Sequence, residues 1–63
     1  MTKAERELLL KALEFYRDER KLSDLPQDDD YAYFDYNDDG TITYNSTDAI
    51  DANNMSKLIS IFS

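Results

Sequence analysis

The sequence predicts an α+β fold in which an N-terminal helix, a two-stranded antiparallel hairpin and a C-terminal helix follow one another, the order αββα. Apolar residues recur at helical spacing at both ends of the chain. Between them, an Asn-Asp-Asp-Gly turn sequence separates two runs that are rich in aromatic and β-branched residues. A chain of 63 residues forms a single small domain, residues 1–63.

The first element is an amphipathic helix over residues 2–22. Thr2 and Glu5 have the spacing of a capping box, in which each side chain bonds the other residue's backbone N–H. The segment before Pro26 ends the helix, because the residue before a proline is driven out of helical geometry. The apolar stripe is wide enough to face a core and consists of Leu8, Leu9, Ala12, Leu13, Phe15 and Tyr16.

The hairpin is predicted from residues 31–36 and 41–44. A two-residue turn at Asp39-Gly40 would mix apolar and polar side chains on each face, so we expect a three-residue loop, residues 38–40, with Gly40 left-handed. This register puts one set of side chains on the core face: Ala32, Phe34, Tyr36, Ile42 and Tyr44. The opposite, solvent-facing set is Tyr31, Tyr33, Asp35, Thr41 and Thr43.

The last element is a helix from about Thr47 to Phe62, with Ser46 or Thr47 as its N-cap. Because a lone hairpin is marginal, we expect both helices to pack on its core face. Apolar side chains left over from that packing could form a homodimer, and they are Leu8, Leu10, Leu58, Ile61 and Phe62.

The negative charge is concentrated in the second part of the chain. The net charge is −7, yet residues 1–22 carry six basic and five acidic side chains, a balance of +1. Residues 23–63 carry nine Asp and one Lys, a balance of −8. No basic residue occurs between Lys21 and Lys57. This pattern argues against direct binding to a nucleic-acid backbone and favours a basic protein partner.

Composition also restricts the chemistry. The chain has no Cys and no His, so disulfides and the usual zinc sites are excluded. A catalytic site would rest on Asp, Ser, Thr, Lys or Tyr alone, and we expect no enzyme activity and no cofactor. No apolar run is long enough to span a membrane, and the N-terminus lacks a signal-peptide pattern. We therefore expect a cytoplasmic protein.

Residues 34–43, Phe-Asp-Tyr-Asn-Asp-Asp-Gly-Thr-Ile-Thr, resemble the first nine positions of an EF-hand calcium loop of the calmodulin type with its preceding Phe. The resemblance implies calcium bound by Asp35, Asn37 and Asp39 side chains and the Thr41 carbonyl, and an all-α fold with a degenerate EF-hand-like loop. The family's twelfth-position Glu is replaced by Ser46. We therefore favour the hairpin and keep calcium as an alternative.

The functional hypothesis is a non-enzymatic interaction module that modulates or inhibits a basic or DNA-binding protein, for example an accessory protein of a phage or a mobile element. Tyrosine is common at binding hot spots, and carboxylates attract basic partners. A second hypothesis is a DNA mimic, in which carboxylates imitate phosphates. The predicted partner-binding residues form one acidic, aromatic set: Asp28, Asp29, Asp30, Tyr31, Tyr33 and Asp35.

Overall fold

The computed structural model describes all 63 residues and has the αββα order predicted from the sequence. Helix α1 spans Lys3–Glu19, a short 3₁₀ helix spans Leu22–Asp24, and helix α2 spans Thr47–Phe62. Strands β1 (Asp35–Tyr36) and β2 (Ile42–Thr43) form a two-stranded antiparallel sheet. None of the helices is long and apolar enough to cross a membrane.

Helix α1 begins with the predicted capping box. The Glu5 N–H donates to Thr2 Oγ1 at 3.1 Å, and the Thr2 N–H donates to Glu5 Oε1 at 2.8 Å. The bond from the Thr2 backbone N–H, followed by the Thr2 side chain, lowers the pKa of the Glu5 carboxyl. The helix ends at Glu19, earlier than the predicted residue 22, because Lys21 adopts a left-handed backbone with φ of 55°. The chain then turns into the 3₁₀ helix.

The core lies where α1, α2 and the 3₁₀ helix meet. Its buried residues are Leu22, Ala49, Ala52 and Met55. Three of the four come from α2, which has Ser46 as its N-cap, with Ser46 Oγ accepting from the Ala49 N–H at 3.0 Å. No residue of α1 is buried. The buried interior is therefore small and consists of two alanines and two larger side chains, Leu22 and Met55.

Arg20 ties the end of α1 to the start of α2. Its guanidinium donates to Asp48 Oδ1 at 2.7 Å and to the Asp51 carboxylate, and it also bonds the Tyr16 hydroxyl at 2.6 Å. The same guanidinium lies 5.2 Å from the centre of the Tyr16 ring, a cation–π distance. These contacts, chiefly the one with Asp51, raise the pKa of Arg20 above its ordinary value.

The hairpin register is the predicted one. Asp35 pairs with Thr43 and Tyr36 pairs with Ile42, and Gly40 is left-handed with φ of 87°. The strands are shorter than predicted, because Tyr31 has a left-handed φ of 65° that interrupts the first run. The backbone before the hairpin is held instead by a single antiparallel bridge between Gln27 and Tyr33.

The prediction that both helices pack on the Ala32, Phe34, Tyr36, Ile42 and Tyr44 face was wrong. Tyr36, Ile42 and Tyr44 are exposed, whereas Tyr33, on the opposite face, is half buried against α2. The physical reason is Asn53 of α2, which bonds both backbone polar groups of Tyr33. Because successive strand residues point to opposite faces, turning Tyr33 inward turns its neighbours Phe34 and Tyr36 outward.

Candidate functional site

Three exposed side chains and one half-buried ring form an apolar surface on the hairpin. This surface, the aromatic face, consists of Phe34, Tyr36, Ile42 and Tyr44. The Phe34 ring lies edge-on to Tyr36 with ring centres 5.7 Å apart, and edge-on to Tyr44 at 6.2 Å. Tyr36 is 60% exposed and Ile42 51% exposed. Edge-to-face contacts fix the rings relative to one another, so the surface is shaped before any partner arrives.

Asp28 organises the turn that precedes the hairpin. Its Oδ1 accepts the backbone N–H groups of Asp30 and Ala32, both at 2.9 Å. Its Oδ2 accepts the Tyr44 hydroxyl at 2.9 Å, which fastens the turn to the aromatic face. The Ala32 N–H bond, followed by the Tyr44 bond, lowers the pKa of the Asp28 carboxyl. The same contact raises the pKa of the Tyr44 hydroxyl, because losing its proton would remove the donor.

Tyr31 presents its ring to solvent from a strained backbone. The side chain is 77% exposed, and the left-handed φ of 65° is uncommon for a bulky residue. Two hydrogen bonds hold this conformation: the Tyr31 N–H donates to the Asp28 carbonyl at 3.0 Å, and Gln27 Nε2 donates to the Tyr31 carbonyl at 2.9 Å. Strain of this kind persists only where neighbouring contacts impose it, and it is concentrated at functional sites.

The carboxylates around this region lack basic neighbours. Of the nine Asp in residues 23–63, only Asp48 and Asp51 form ion pairs, both with Arg20. The other seven lie between Asp24 and Asp39, in the connection and the hairpin. Their negative charge is therefore not neutralised by ion pairs within the chain, and Asp28 among them contacts the aromatic face through Tyr44.

The predicted partner-binding residues are not all on one exposed surface. Asp29, Asp30 and Tyr31 are exposed. Asp28 is half buried and occupied with turn bonds, and Tyr33 is half buried against α2 rather than beside Tyr31 in solvent. Asp35 is half buried and accepts the adjacent Tyr36 N–H at 2.8 Å.

The sequence-based prediction missed Tyr36, Ile42 and Tyr44 as surface residues, because apolar strand residues ordinarily face a core. It also missed Asn53, although the sequence holds a signal for it. Asn is unfavourable inside a helix, and an Asn-Asn pair in the middle of α2 indicates a side chain with another task.

The loop that resembles a calcium site is closed by its own hydrogen bonds. Asn37 Nδ2 donates to Thr41 Oγ1 at 3.0 Å, and Asp39 Oδ1 accepts both the N–H and the hydroxyl of Thr41, at 3.0 and 2.6 Å. These Thr41 bonds lower the pKa of the Asp39 carboxyl. No group of three or more acidic side chains is arranged to hold a metal ion.

A small pocket lies between the two helices and Tyr33. It is lined by Arg17, Leu22, Ser23, Tyr33, Ala52, Ser56 and Ile59. Its volume of about 120 Å³ is well below the roughly 300 Å³ at which sites for small-molecule ligands begin. The aromatic face is therefore the better candidate for a functional surface.

Comparisons of this chain with protein-family models, with curated proteins and with solved structures found no match. The case for function therefore depends on the side chains described above.

Proposed function

We propose that this protein is an interaction module that binds a basic segment of another protein through the aromatic face and the carboxylates around it. The observation that carries the proposal is the exposure of Tyr36, Ile42 and Tyr44 in a part of the chain that has no basic residue. The protein would modulate or inhibit its partner by covering that basic segment.

The aromatic face supports binding through its composition and rigidity. Tyr and Phe are enriched at the centres of protein interfaces, where their large surfaces are buried with little loss of side-chain entropy. The contacts of Phe34 with Tyr36 and Tyr44, and the bond from Tyr44 to Asp28, hold these rings before binding. A surface ordered in advance loses less entropy when a partner binds.

The surrounding charge supports a basic partner. Exposed carboxylates at Asp29, Asp30, Asp38 and Asp39 have no ion-pair partner within the chain. Lys or Arg side chains of a partner would contact these carboxylates at the rim, while its apolar side chains would cover the rings. Rim charges of this kind accelerate association and make it depend on salt.

Two hypotheses account for the negative charge: it binds a basic protein segment, or it imitates the phosphates of DNA. The exposed apolar rings favour the first. A DNA mimic needs carboxylates that are regularly spaced along an extended surface, because phosphates are regularly spaced along DNA. Here the aspartates without an ion pair all lie between Asp24 and Asp39, in the same part of the chain as the exposed Tyr36 and Ile42. A partner with alternating Lys and Leu side chains fits this arrangement better.

The proposal can be tested with a defined probe, a synthetic amphipathic peptide of Lys and Leu, titrated into the labelled protein and followed by amide NMR. We expect shifts at Tyr31, Tyr36, Ile42 and Tyr44 that disappear in high salt. A matched peptide with Glu in place of Lys should produce none. Shifts confined to α1, or equal responses to the two peptides, would contradict the proposal.

A pair of variants distinguishes binding at the aromatic face from nonspecific hydrophobic binding. Tyr36→Ser with Ile42→Ser removes two exposed apolar side chains of the aromatic face. Leu8→Ser with Phe15→Ser removes two apolar side chains of α1 that are even more exposed. The hairpin variant should lose peptide binding and the helix variant should retain it. The same pair, used as bait in a native lysate, would identify the natural partner by its dependence on the hairpin.

A further inference from the structure

We infer that a second surface, on the helices, joins two copies of this chain into a dimer. This surface, the outer helical face, consists of Leu8, Ala12 and Phe15 on α1 and Leu58 and Ile61 on α2. It is separate from the aromatic face, so dimerisation and partner binding are independent of each other.

The outer helical face is apolar and open. Leu8 is 70% exposed, Phe15 68% and Ile61 64%, while Leu58 is 40% exposed. Ala12 lies between Leu8 and Phe15 on the same stripe of α1 and is also exposed. An apolar helical stripe normally packs against another helix or a sheet, and within one chain neither covers this stripe.

Helical spacing on α1 shows which way this stripe points. Two positions along a helix correspond to about 200° of rotation, so side chains two residues apart point in nearly opposite directions. Arg17 lines the pocket that faces Tyr33, and Phe15 precedes it by two residues. Phe15 therefore points away from that pocket, and Leu8, two turns earlier on the same stripe, does so as well.

The same relation holds on α2. Ser56 and Ile59 line the pocket, and Leu58 and Ile61 follow them by two residues each. Both helices therefore direct exposed apolar side chains away from Tyr33. Tyr33 lies on one side of the helix pair, and the outer helical face points away from it.

The chain exposes more surface than a compact domain of its length, which leaves area available for an interface. Its accessible surface is 4816 Å², whereas a folded monomer of this mass exposes about 4,200 Å². The radius of gyration is 13.3 Å, against about 11 Å for a compact domain of this length. The excess of roughly 600 Å² is close to the roughly 800 Å² that each partner buries in a standard interface.

Charge indicates that the occupant is a second copy. Helix α1 carries four basic and five acidic side chains and α2 carries one basic and two acidic ones, a balance of −1 each, so two copies can meet along the helices with little repulsion. Residues 23–63 carry −8, and two copies meeting at their hairpins would repel each other. The near-neutral helical surface therefore suits self-association, and the acidic hairpin stays free for a basic partner.

Sedimentation equilibrium on the full chain, from low to high micromolar concentration, tests the inference. We expect a concentration-dependent dimer of the wild-type chain. Leu8→Ser with Phe15→Ser should weaken dimerisation at least about a hundredfold, since a two-fold interface loses each contact twice. Far-UV circular dichroism should show that the variant retains its helices, because both side chains are already exposed.

Matched variants keep the test decisive. Ile61→Ser on α2 should also weaken the dimer, and it substitutes for the double variant should that one fail to fold. Tyr36→Ser with Ile42→Ser should leave the dimer unchanged while abolishing binding of the Lys-Leu peptide. A wild-type chain that stays monomeric at high micromolar concentration overturns the inference, as does a dimer that none of the helix variants weakens. Peptide binding reports separately on the aromatic face.

Discussion

The Asn53 side chain bonds the backbone of Tyr33 as a neighbouring strand would. Its Oδ1 accepts the Tyr33 N–H at 2.7 Å, and its Nδ2 donates to the Tyr33 carbonyl at 3.0 Å. This pair of bonds attaches the segment before the hairpin to α2 and turns the Tyr33 ring toward the core. It thereby decides that Tyr36 and the opposite-strand residues Ile42 and Tyr44 face solvent.

Replacing Asn53 by Ala should destabilise the fold by about 1–3 kcal/mol, because both polar groups of the half-buried Tyr33 backbone lose their partner. Asn54→Ala is the matched control. Asn54 is exposed, and the change improves helix propensity, so it should be neutral or slightly stabilising. Urea unfolding measures both. Equal stability of the two variants would show that the Asn53 bonds do not hold the hairpin segment.

Replacing Arg20 should loosen the junction between α1 and α2. Arg20→Ala leaves Asp48 and Asp51 next to each other without a cation, and it removes the Tyr16 contact. Arg20→Lys should recover only part of the loss, because an ammonium cannot bond two carboxylates with the geometry of a guanidinium. Thermal unfolding at low and high salt checks this order. Arg6→Ala, at an exposed residue with no ion pair, is the control and should change the midpoint little.

The turn around Asp28 should respond to pH in two separate ranges. The pKa of Asp28 is lowered in the fold, so its stabilising effect is complete above the ordinary value of 3.8 and is lost as pH falls through the lowered one. The pKa of Tyr44 is raised, so its effect is complete below 10.0 and is lost as pH rises through the raised one. The Ala32 amide shift and the Tyr44 ring carbons report the two titrations by NMR.

Two variants assign these titrations. Asp28→Asn should remove the acid-range change at the Ala32 amide and bring the Tyr44 titration closer to its ordinary range. Tyr44→Phe keeps the ring and removes only the hydroxyl, so the turn should survive with a smaller depression of the Asp28 pKa. An Ala32 amide that titrates identically in Asp28→Asn and in the wild-type chain would contradict the assignment.

The hairpin turn requires Gly at position 40 only because the backbone there is left-handed. Its φ of 87° is unfavourable for a side chain, yet an added Cβ would meet no atom within 4 Å. Gly40→Ala should therefore cost about 1–2 kcal/mol through the backbone. Gly40→Asn should cost less, because Asn tolerates the left-handed region. Denaturant unfolding gives both values, and an Ala variant as stable as the Asn variant would argue against a conformational cause.

Tyr31 should show a conflict between stability and binding. Tyr31→Gly relieves the left-handed strain and should raise stability by up to about 1 kcal/mol, yet it should weaken binding of the Lys-Leu peptide. Lys21→Gly relieves a similar strain at φ of 55° far from the aromatic face. It should raise stability without changing peptide binding. Calorimetric titration and urea unfolding of both variants separate the two effects.

Local sequence signals determined the elements of this protein. The capping box of Thr2 and Glu5, the N-cap at Ser46 and the left-handed Gly40 are each specified by residues close in sequence. The hairpin register was predictable for the same reason, since the three-residue loop and the alternation of side chains act over about ten residues. The αββα order follows from these signals.

Tertiary contacts decided which face of the hairpin is exposed. Either face of the hairpin could pack against the core, the one with Phe34 and Tyr36 or the one with Tyr33 and Asp35. Hydrophobicity alone selects the wrong face. The choice is made by Asn53, twenty residues from Tyr33, whose amide satisfies a backbone that no strand reaches. Hydrogen bonds between distant residues leave no periodic trace in a sequence, so only the folded chain shows that its aromatic residues form a surface.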